Sequence, residues 1–344
     1  MSFKVTIQPS NHQFVVEEGQ TVLDAALEAG IVLPYSCRDG ACSTCTGKVI
    51  SGVYDAGPAP RRILSAEQLQ AGYTLFCQAR PSTDLVIEAS EVRMSTDIQI
   101  RKMPSRVMAL EQLARDVMVI QLQLPVADPF LYYAGQYLEF ILKDGRRRSY
   151  SMANAPSDKN LVELHIRHMP GGIFTDHVFG AGDTQMKVRE ILRVEGPFGS
   201  FFLRDESQKP IVFLASGTGF APIKAIIERM IANQDHRRAV LYWGGRRPQD
   251  LYMHDKVRGW LGKLPNFSYV PVVSEATADD LWTGRTGFVH RAVLHDLPDL
   301  SGYQVYACGA PIMVENARKD FTRLSGLPEE EFFADAFTTE ADIA

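Results

Sequence analysis

The 344-residue sequence contains no run of 18 apolar residues, so no segment reads as a membrane-spanning helix. Its first residues, Met1-Ser2-Phe3-Lys4-Val5-Thr6-Ile7, alternate like a strand. They include no apolar core followed by a small-residue cleavage site, so no secretory signal is expected. Positive charge is not in excess: 36 Lys and Arg face 41 Asp and Glu, for a net charge of -5. A pI near 5.9 argues against a nucleic-acid binder. Internal repeats and low-complexity tracts are absent, which excludes solenoids and biased tails. Cysteine is scarce, at five residues. Four of them fall in a ligand pattern, which fits a reducing cytoplasm better than a disulfide-forming compartment.

What remains is an ordinary globular composition, 45% hydrophobic and 22% charged. The length accommodates two or three domains, each able to bury its own core. Residues 3–9 and 13–17 alternate as strands. An amphipathic helix follows from Thr21, a plausible N-cap, to the Gly30 stop. A strand is expected at 47–50, a capping-box helix from Ser65, and strands at 73–76 and 84–88. This makes a compact α+β unit over residues 1–92. A polar stretch at 89–102 reads as a linker. Strands at 117–124, 136–142, 148–152 and 161–167 predict an antiparallel barrel over 103–206. From Ile211 the pattern becomes β-α-β-α: 211–215 is a continuous apolar run, and strands recur at 239–243, 268–273 and 303–308 with helical patterns between and after them. That pattern predicts a parallel, Rossmann-like sheet over 207–344.

Cys37, Cys42 and Cys45 are spaced C-x4-C-x2-C, and Cys77 follows after 31 residues. This is the spacing with which plant-type ferredoxins hold a [2Fe–2S] cluster on four thiolates. Gly40, Ala41, Ser43 and Thr44 let the backbone wrap closely around an anion. The competing readings are a disulfide pair and a zinc site. Zinc sites usually pair their cysteines as two C-x2-C units, whereas Cys77 stands alone.

Three further motifs carry chemistry. Gly217-Thr218-Gly219-Phe220-Ala221-Pro222 follows a buried strand and opens a helix, the setting in which glycines admit a pyrophosphate. Its third fingerprint glycine is replaced by Pro222, and taken alone the pair of glycines could be turn residues. In Arg148-Ser149-Tyr150-Ser151 the arginine offers a fork to phosphate and the tyrosine a cover for a flat ring. Period two puts Arg148 and Tyr150 on one face, so a barrel end or bulge is needed if Ser151 is to share their ligand. Gly171-Gly172-Ile173-Phe174-Thr175 is a second phosphate-cradle pattern. Cys308-Gly309-Ala310-Pro311 ends a strand of the third region, where open parallel sheets bind ligands; a small buried core residue is the plain alternative for Cys308.

Taken together, these stretches resemble the ferredoxin–NADP⁺ reductase superfamily with a plant-type ferredoxin domain in front. Arg148 to Ser151 resembles its R-x-Y-S flavin motif. Gly217 to Pro222 resembles its G-T-G-x-A-P nucleotide loop, and Cys308 to Pro311 its C-G-x-P turn. Within that group the chain is similar to the CDP-6-deoxy-Δ3,4-glucoseen reductases, through Glu195–Phe202, Trp282–His290 and Phe332–Phe337. It is also similar to terephthalate dioxygenase reductases, through Ser149–Asn154 and His165–His168.

The resemblance implies a β-grasp ferredoxin domain, an FAD-binding barrel and a nucleotide domain. It implies that Arg148 holds an FAD phosphate, Tyr150 packs on the isoalloxazine and Ser151 sits near its N5. Ser149 lies in the same motif, and His165, Ile166 and Arg167 run past the flavin. Gly172, Ile173, Phe174 and Thr175 take the FAD pyrophosphate. Gly217, Thr218, Gly219, Ala221 and Pro222 take the nicotinamide dinucleotide, with Cys308, Gly309 and Pro311 on the nicotinamide side. Phe337 is the C-terminal aromatic over the flavin.

The implied activity is electron transfer from NADH through FAD and the cluster to a separate oxygenase component or iron–sulfur dehydratase, without membrane or nucleic acid. Nicotinamide donates electron pairs, a [2Fe–2S] cluster accepts single electrons and a flavin exchanges both. Ser274-Glu275 favours NADH, because a carboxylate repels a 2′-phosphate, although Arg246 and Arg247 oppose that reading. A stand-alone flavin reductase of diaphorase type and a non-catalytic redox sensor are the competing functions. The rim of the cysteine loop, Arg38-Asp39 and Ser43-Thr44, is where a partner's footprint is expected.

Overall fold

The computed structural model describes residues 1–90, 98–127, 129–157, 159–180 and 184–338. Residues 91–97 of the expected linker lie outside the described residues. The chain divides into two compact units, Met1–Asp97 with Asp335–Ala344, and Ile98–Ala334. The expected barrel and nucleotide regions share the second unit, and the residues from Asp335 group with the first.

In the first unit a five-stranded mixed sheet runs in the order Gln13–Glu17, Ser2–Gln8, Leu85–Glu88, Thr46–Ser51, Tyr73–Leu75. Its central pair is parallel, with Val5 opposite Leu85, and the flanking pairs are antiparallel. The Val22–Glu28 helix is capped by Thr21, whose hydroxyl accepts from Asp24 N–H at 3.1 Å. Its buried residues Val22, Leu23, Ala25 and Ala26 give it one apolar face. Ser65 and Gln68 form the expected capping box.

In the second unit six antiparallel strands run in the order Arg147–Ser151, Tyr137–Ile141, Ile191–Phe198, Arg101–Ala114, Val117–Gln123, Leu161–Arg167. Met152 bridges Leu164, and Ala153 N–H donates to Glu163 O at 2.7 Å. The two edge strands therefore meet and the sheet closes as a barrel. Its interior is filled by Val107, Ile120, Leu122, Leu138, Phe140, Val162, Leu164 and Ile166. The first barrel strand begins at Arg101, inside the stretch expected to be linker.

The other sheet runs Arg285–Thr286, Phe267–Val273, Ala239–Gly245, Ile211–Ser216, Gln304–Gly309, Phe332–Ala336. Ile211–Ser216 pairs in parallel with both of its neighbours. The chain first builds outward on one side of this strand, then returns to add Gln304–Gly309 on the other. This reversal is a topological switch point, and doubly wound sheets bind ligands at the carboxyl ends of the strands beside such a point. The Gly217 loop and the Gly309 turn lie there.

Candidate cofactor and electron-transfer sites

The cysteine loop lies between the Val22–Glu28 helix and the Thr46–Ser51 strand. Arg38, Gly40 and Ser43 adopt left-handed φ values of 64°, 81° and 56°, which fold the loop tightly. A Cβ at Gly40 would stand 2.7 Å from that of Ala59, so only glycine fits beside the neighbouring loop. Two amides point at sulfur: Cys37 N–H at Cys42 Sγ, and Ala41 N–H at Cys37 Sγ, both at 3.4 Å. Phe76 N–H donates to Cys45 O, and Leu23 N–H to Phe76 O, each at 3.0 Å. These bonds bring Cys77 to the loop.

All five cysteines are free. Four of them stand as two hydrogen-bonded pairs, Cys37 with Cys42 and Cys45 with Cys77. The Cys37 hydrogen bond holds the Cys42 thiol down at about 6, against the effect of burial. Cys37 and Cys45 are pushed up by their pair partners and by burial. Among the described residues no three His, Cys, Asp or Glu side chains converge on one ion position. Two thiol pairs fit two iron atoms with two thiolates each, and they do not fit one tetrahedral zinc.

Arg147–Ser151 is a barrel strand on which Leu138 faces Tyr150, Phe140 faces Arg148 and Tyr137 faces Ser151. Tyr150 packs on Phe140 and Phe174, with ring centroids 5.9 and 5.4 Å away, and burial pushes its hydroxyl pKa up. The strand ends at the buried Ser151. Its pairing with Tyr137–Ile141 is regular throughout. The register shift nearby lies in the pairing of Tyr137–Ile141 with Ile191–Phe198, so Ser151 stands beside Tyr150 at a strand end rather than at a bulge. Ser149 faces the other way, its hydroxyl 3.5 Å from Glu139. Arg147, which the motif does not include, binds Glu139 at 2.6 Å and Glu195 at 2.5 Å.

Gly172 precedes the Ile173–Phe179 helix. Ile173 is exposed, while Phe174 is buried 4.5 Å from Phe140. The Thr175 hydroxyl closes this turn internally, donating to Met169 O at 2.8 Å and accepting from Met169 N–H at 3.2 Å.

On Leu161–Arg167, Ile166 points into the barrel core. The His165 imidazole is engaged on both nitrogens, by Glu163 and Tyr252. Arg167 is ion-paired with Asp116 at 2.9 Å, and its guanidinium lies beside Gly217.

Gly217-Thr218-Gly219 forms a single 3-10 turn before the Phe220–Ala232 helix. Ala221 and Pro222 are buried in that helix's first turn, where proline is tolerated. A Cβ on Gly219 would overlap the Cys308 carbonyl, and one on Gly309, at φ 132°, would overlap Ser216. Ser216 Oγ accepts from Ala310 N–H at 3.0 Å, and Pro311 opens the Pro311–Leu324 helix. Loop and turn are therefore pressed backbone to backbone around the buried Cys308.

Beyond the next strand, Glu275 N–H donates to Arg246 O at 2.8 Å, and both side chains are exposed. Arg247 is held by Asp280 at 2.8 Å and Thr277 at 3.0 Å. Phe337 follows Phe332–Ala336 and is half-buried.

Comparison with known proteins matches three stretches of the chain to three domain families. Residues 5–82 match the 2Fe-2S iron-sulfur cluster binding domain, 104–203 the oxidoreductase FAD-binding domain and 213–319 the oxidoreductase NAD-binding domain. The CDP-6-deoxy-L-threo-D-glycero-4-hexulose-3-dehydrase reductase of Yersinia pestis is 41% identical, over 98% of this chain and 99% of its own. The chain belongs to the ferredoxin-fused branch of the ferredoxin–NADP⁺ reductase superfamily.

Terephthalate 1,2-dioxygenase reductase component 2 of Comamonas sp. is 35% identical, covering 98% of both chains. The crystal structure of Amycolatopsis cytochrome P450 reductase GcoB superposes with a TM-score of 0.78 at 34% identity, over 98% of this chain and 99% of that one. The reductase thus carries [2Fe–2S], FAD and NAD sites and passes electrons from NADH to a separate enzyme. Among the described residues no helix is long and apolar enough to cross a membrane. Sequence reading did not find the pairing of Arg147 with Glu139 and Glu195, which depends on cross-strand register, and it did not single out Lys224 or Tyr252 for any role.

Proposed function

We propose that this reductase serves a deoxysugar dehydratase of the kind named in its 41%-identical Yersinia relative, and that it works in the cytoplasm. The observation that carries this reading is that identity, sustained over 98% of the chain. A second reading, an oxygenase reductase, is favoured by the 0.78 TM-score to the cytochrome P450 reductase and by the terephthalate enzyme.

We assign Arg148 to a phosphate of FAD, Tyr150 to the ring face and Ser151 to the ring's polar edge. Residues 172–175 provide the pyrophosphate turn. Bound FAD supplies the exchange between electron pairs and single electrons. The chain's own part is positional. The Phe140–Phe174 wall orients Tyr150, and its burial excludes water. Gly217–Pro222 presents its backbone at a helix start, where an anionic pyrophosphate is favoured. The Gly219–Cys308 contact presses that loop onto the strand end where the nicotinamide is assigned. The four thiolates carry the cluster, and inward amides offset its negative charge.

Reconstitution decides between acceptors. The purified reductase and NADH are combined with a dehydratase or with an oxygenase component, and single-turnover product is measured. The first reading expects turnover with the dehydratase at least about tenfold faster, a barrier difference near 1.4 kcal/mol. Faster turnover with the oxygenase overturns it.

A further inference from the structure

Within the second unit, a line of buried and half-buried polar side chains crosses from the barrel to the nucleotide-binding region, and the cofactor motifs account for neither of its ends. Lys224, in the Phe220–Ala232 helix, is 1% exposed. Burying an ammonium costs several kcal/mol unless it is paired. Its Nζ donates to Ala153 O at 2.8 Å and to Glu228 at 3.0 Å, and lies 3.0 Å from Glu163 Oε1. The same Glu163 oxygen is 2.9 Å from His165 Nε2. His165 Nδ1 is 2.7 Å from the Tyr252 hydroxyl.

Chemistry fixes every proton in this line. Burial opposes ionisation of Glu163, but the His165 hydrogen bond and the Lys224 ammonium hold its carboxyl down at about 2. Burial keeps His165 neutral and Tyr252 protonated. A carboxylate only accepts, so Nε2 carries the imidazole proton and Nδ1 accepts from Tyr252.

Both ends of the line return to the same loop. Lys224 rides on the helix that the Gly217–Pro222 loop opens. The Tyr252 ring stands edge-on to Trp243, with centroids 5.3 Å apart at 89°. Trp243 stacks on Phe220 at 3.9 Å and donates to Gly217 O at 3.0 Å. The middle of the line, Glu163 and His165, lies on the barrel strand Leu161–Arg167. One strand of the barrel is thus gripped from the Phe220–Ala232 helix and from the loop that follows the Ala239–Gly245 strand.

We propose that Lys224, Glu163, His165 and Tyr252 form a clamp that sets the nucleotide loop against the barrel, and that they are positioning residues for hydride transfer from nicotinamide to flavin. The clamp rests on the assignment of residues 217–222 to the nicotinamide nucleotide. It acts through placement: reacting atoms must approach to about 3–3.5 Å, and a displacement of about 1 Å costs up to about a hundredfold in rate.

Tyr252→Phe is the direct test, since it keeps the ring and removes only the hydroxyl. Anaerobic stopped-flow mixing with NADH gives the flavin reduction rate and the NADH dissociation constant. Absorbance above the flavin bands reports nicotinamide stacked on the ring. NADH deuterated at the transferred position reports C–H cleavage. The clamp predicts a rate about tenfold lower, a dissociation constant within about threefold, a weaker stacking band and a larger isotope effect. Lys224→Met is expected to do the same more strongly, with a lower thermal midpoint. Tyr252→Phe with rate, stacking band and isotope effect all as in the wild type overturns the clamp. So does a rate that falls only in proportion to lost NADH affinity. Gly219→Ala separates this from the underlying assignment: unchanged NADH affinity in that variant means the loop assignment is wrong, whereas weakened affinity there beside an unaltered Tyr252→Phe means the clamp alone fails.

Discussion

At the scale of single residues, the structure sorts charges that the sequence leaves equivalent. Arg246 and Arg247 are adjacent in sequence, but Arg247 is tied to Asp280 and Thr277. The exposed Glu275 lies beside Arg246 through a backbone hydrogen bond. NADH is therefore expected to outperform NADPH by at least about tenfold in kcat/KM, and Glu275→Arg to narrow that ratio, which steady-state kinetics with both nucleotides checks. Arg38 was a candidate for the partner's footprint, yet it bonds Asp24 at 3.0 Å within its own domain. Reversing its charge should perturb the loop itself, whereas the exposed Asp39 is the cleaner probe. Asp39→Lys is expected to slow transfer to the acceptor severalfold, in a salt-dependent way, and to leave NADH–ferricyanide turnover unchanged. The proposed cluster ligands Cys37, Cys42, Cys45 and Cys77 could be singled out because thiolate ligation imposes a spacing. His165 could be marked only as a residue beside the flavin, because its partner Tyr252 is 87 residues away.

At the scale of elements, glycines let the Gly217 loop and the Gly309 turn approach closely. Gly219→Ala puts a methyl into the Cys308 carbonyl. It should cost about 1–3 kcal/mol of stability and weaken NADH binding more than FAD binding, as thermal melts and titrations would show. The Leu161–Arg167 strand also carries an acid sensitivity. The folded pKa of His165 is lowered by burial, so its contribution is present above the ordinary histidine range and is lost as pH falls below about 6.5. Glu163 is held at about 2, so its contribution begins to fade below about 4.5 and is lost as pH falls toward 2. Both slopes have the same sign: the thermal midpoint should drop steadily from about pH 6.5 downward, and His165→Gln should flatten the upper part of that curve. Most strands were legible from apolar runs or alternation. The Arg101–Ala114 strand was not resolved as one element, because only Ser105 and Val107 of its 14 residues are buried. Closure of the barrel through Met152 and Leu164 depends on register, which periodicity does not carry.

At the scale of the whole molecule, three sheets serve three stages of one electron path. On the proposed assignments, nicotinamide enters at the reversal of strand order beside Ile211–Ser216, the barrel holds the flavin and the paired cysteines make the exit. The order of these parts was legible from the sequence because each has a distinct periodicity and motif. The residues that join barrel to nucleotide sheet were not, because they are single polar side chains in otherwise apolar runs. Electrons are expected to reach the partner enzyme only through the four-cysteine cluster, whereas ferricyanide also takes them directly from the flavin. The direct measurement compares the full-length Cys45→Ser reductase with wild type, using NADH and two acceptors, ferricyanide and the partner enzyme. Ferricyanide turnover within about twofold of wild type, with partner reduction lowered at least about a hundredfold, is the predicted result. A Cys45→Ser protein that lacks the cluster and still reduces the partner at the wild-type rate would contradict it.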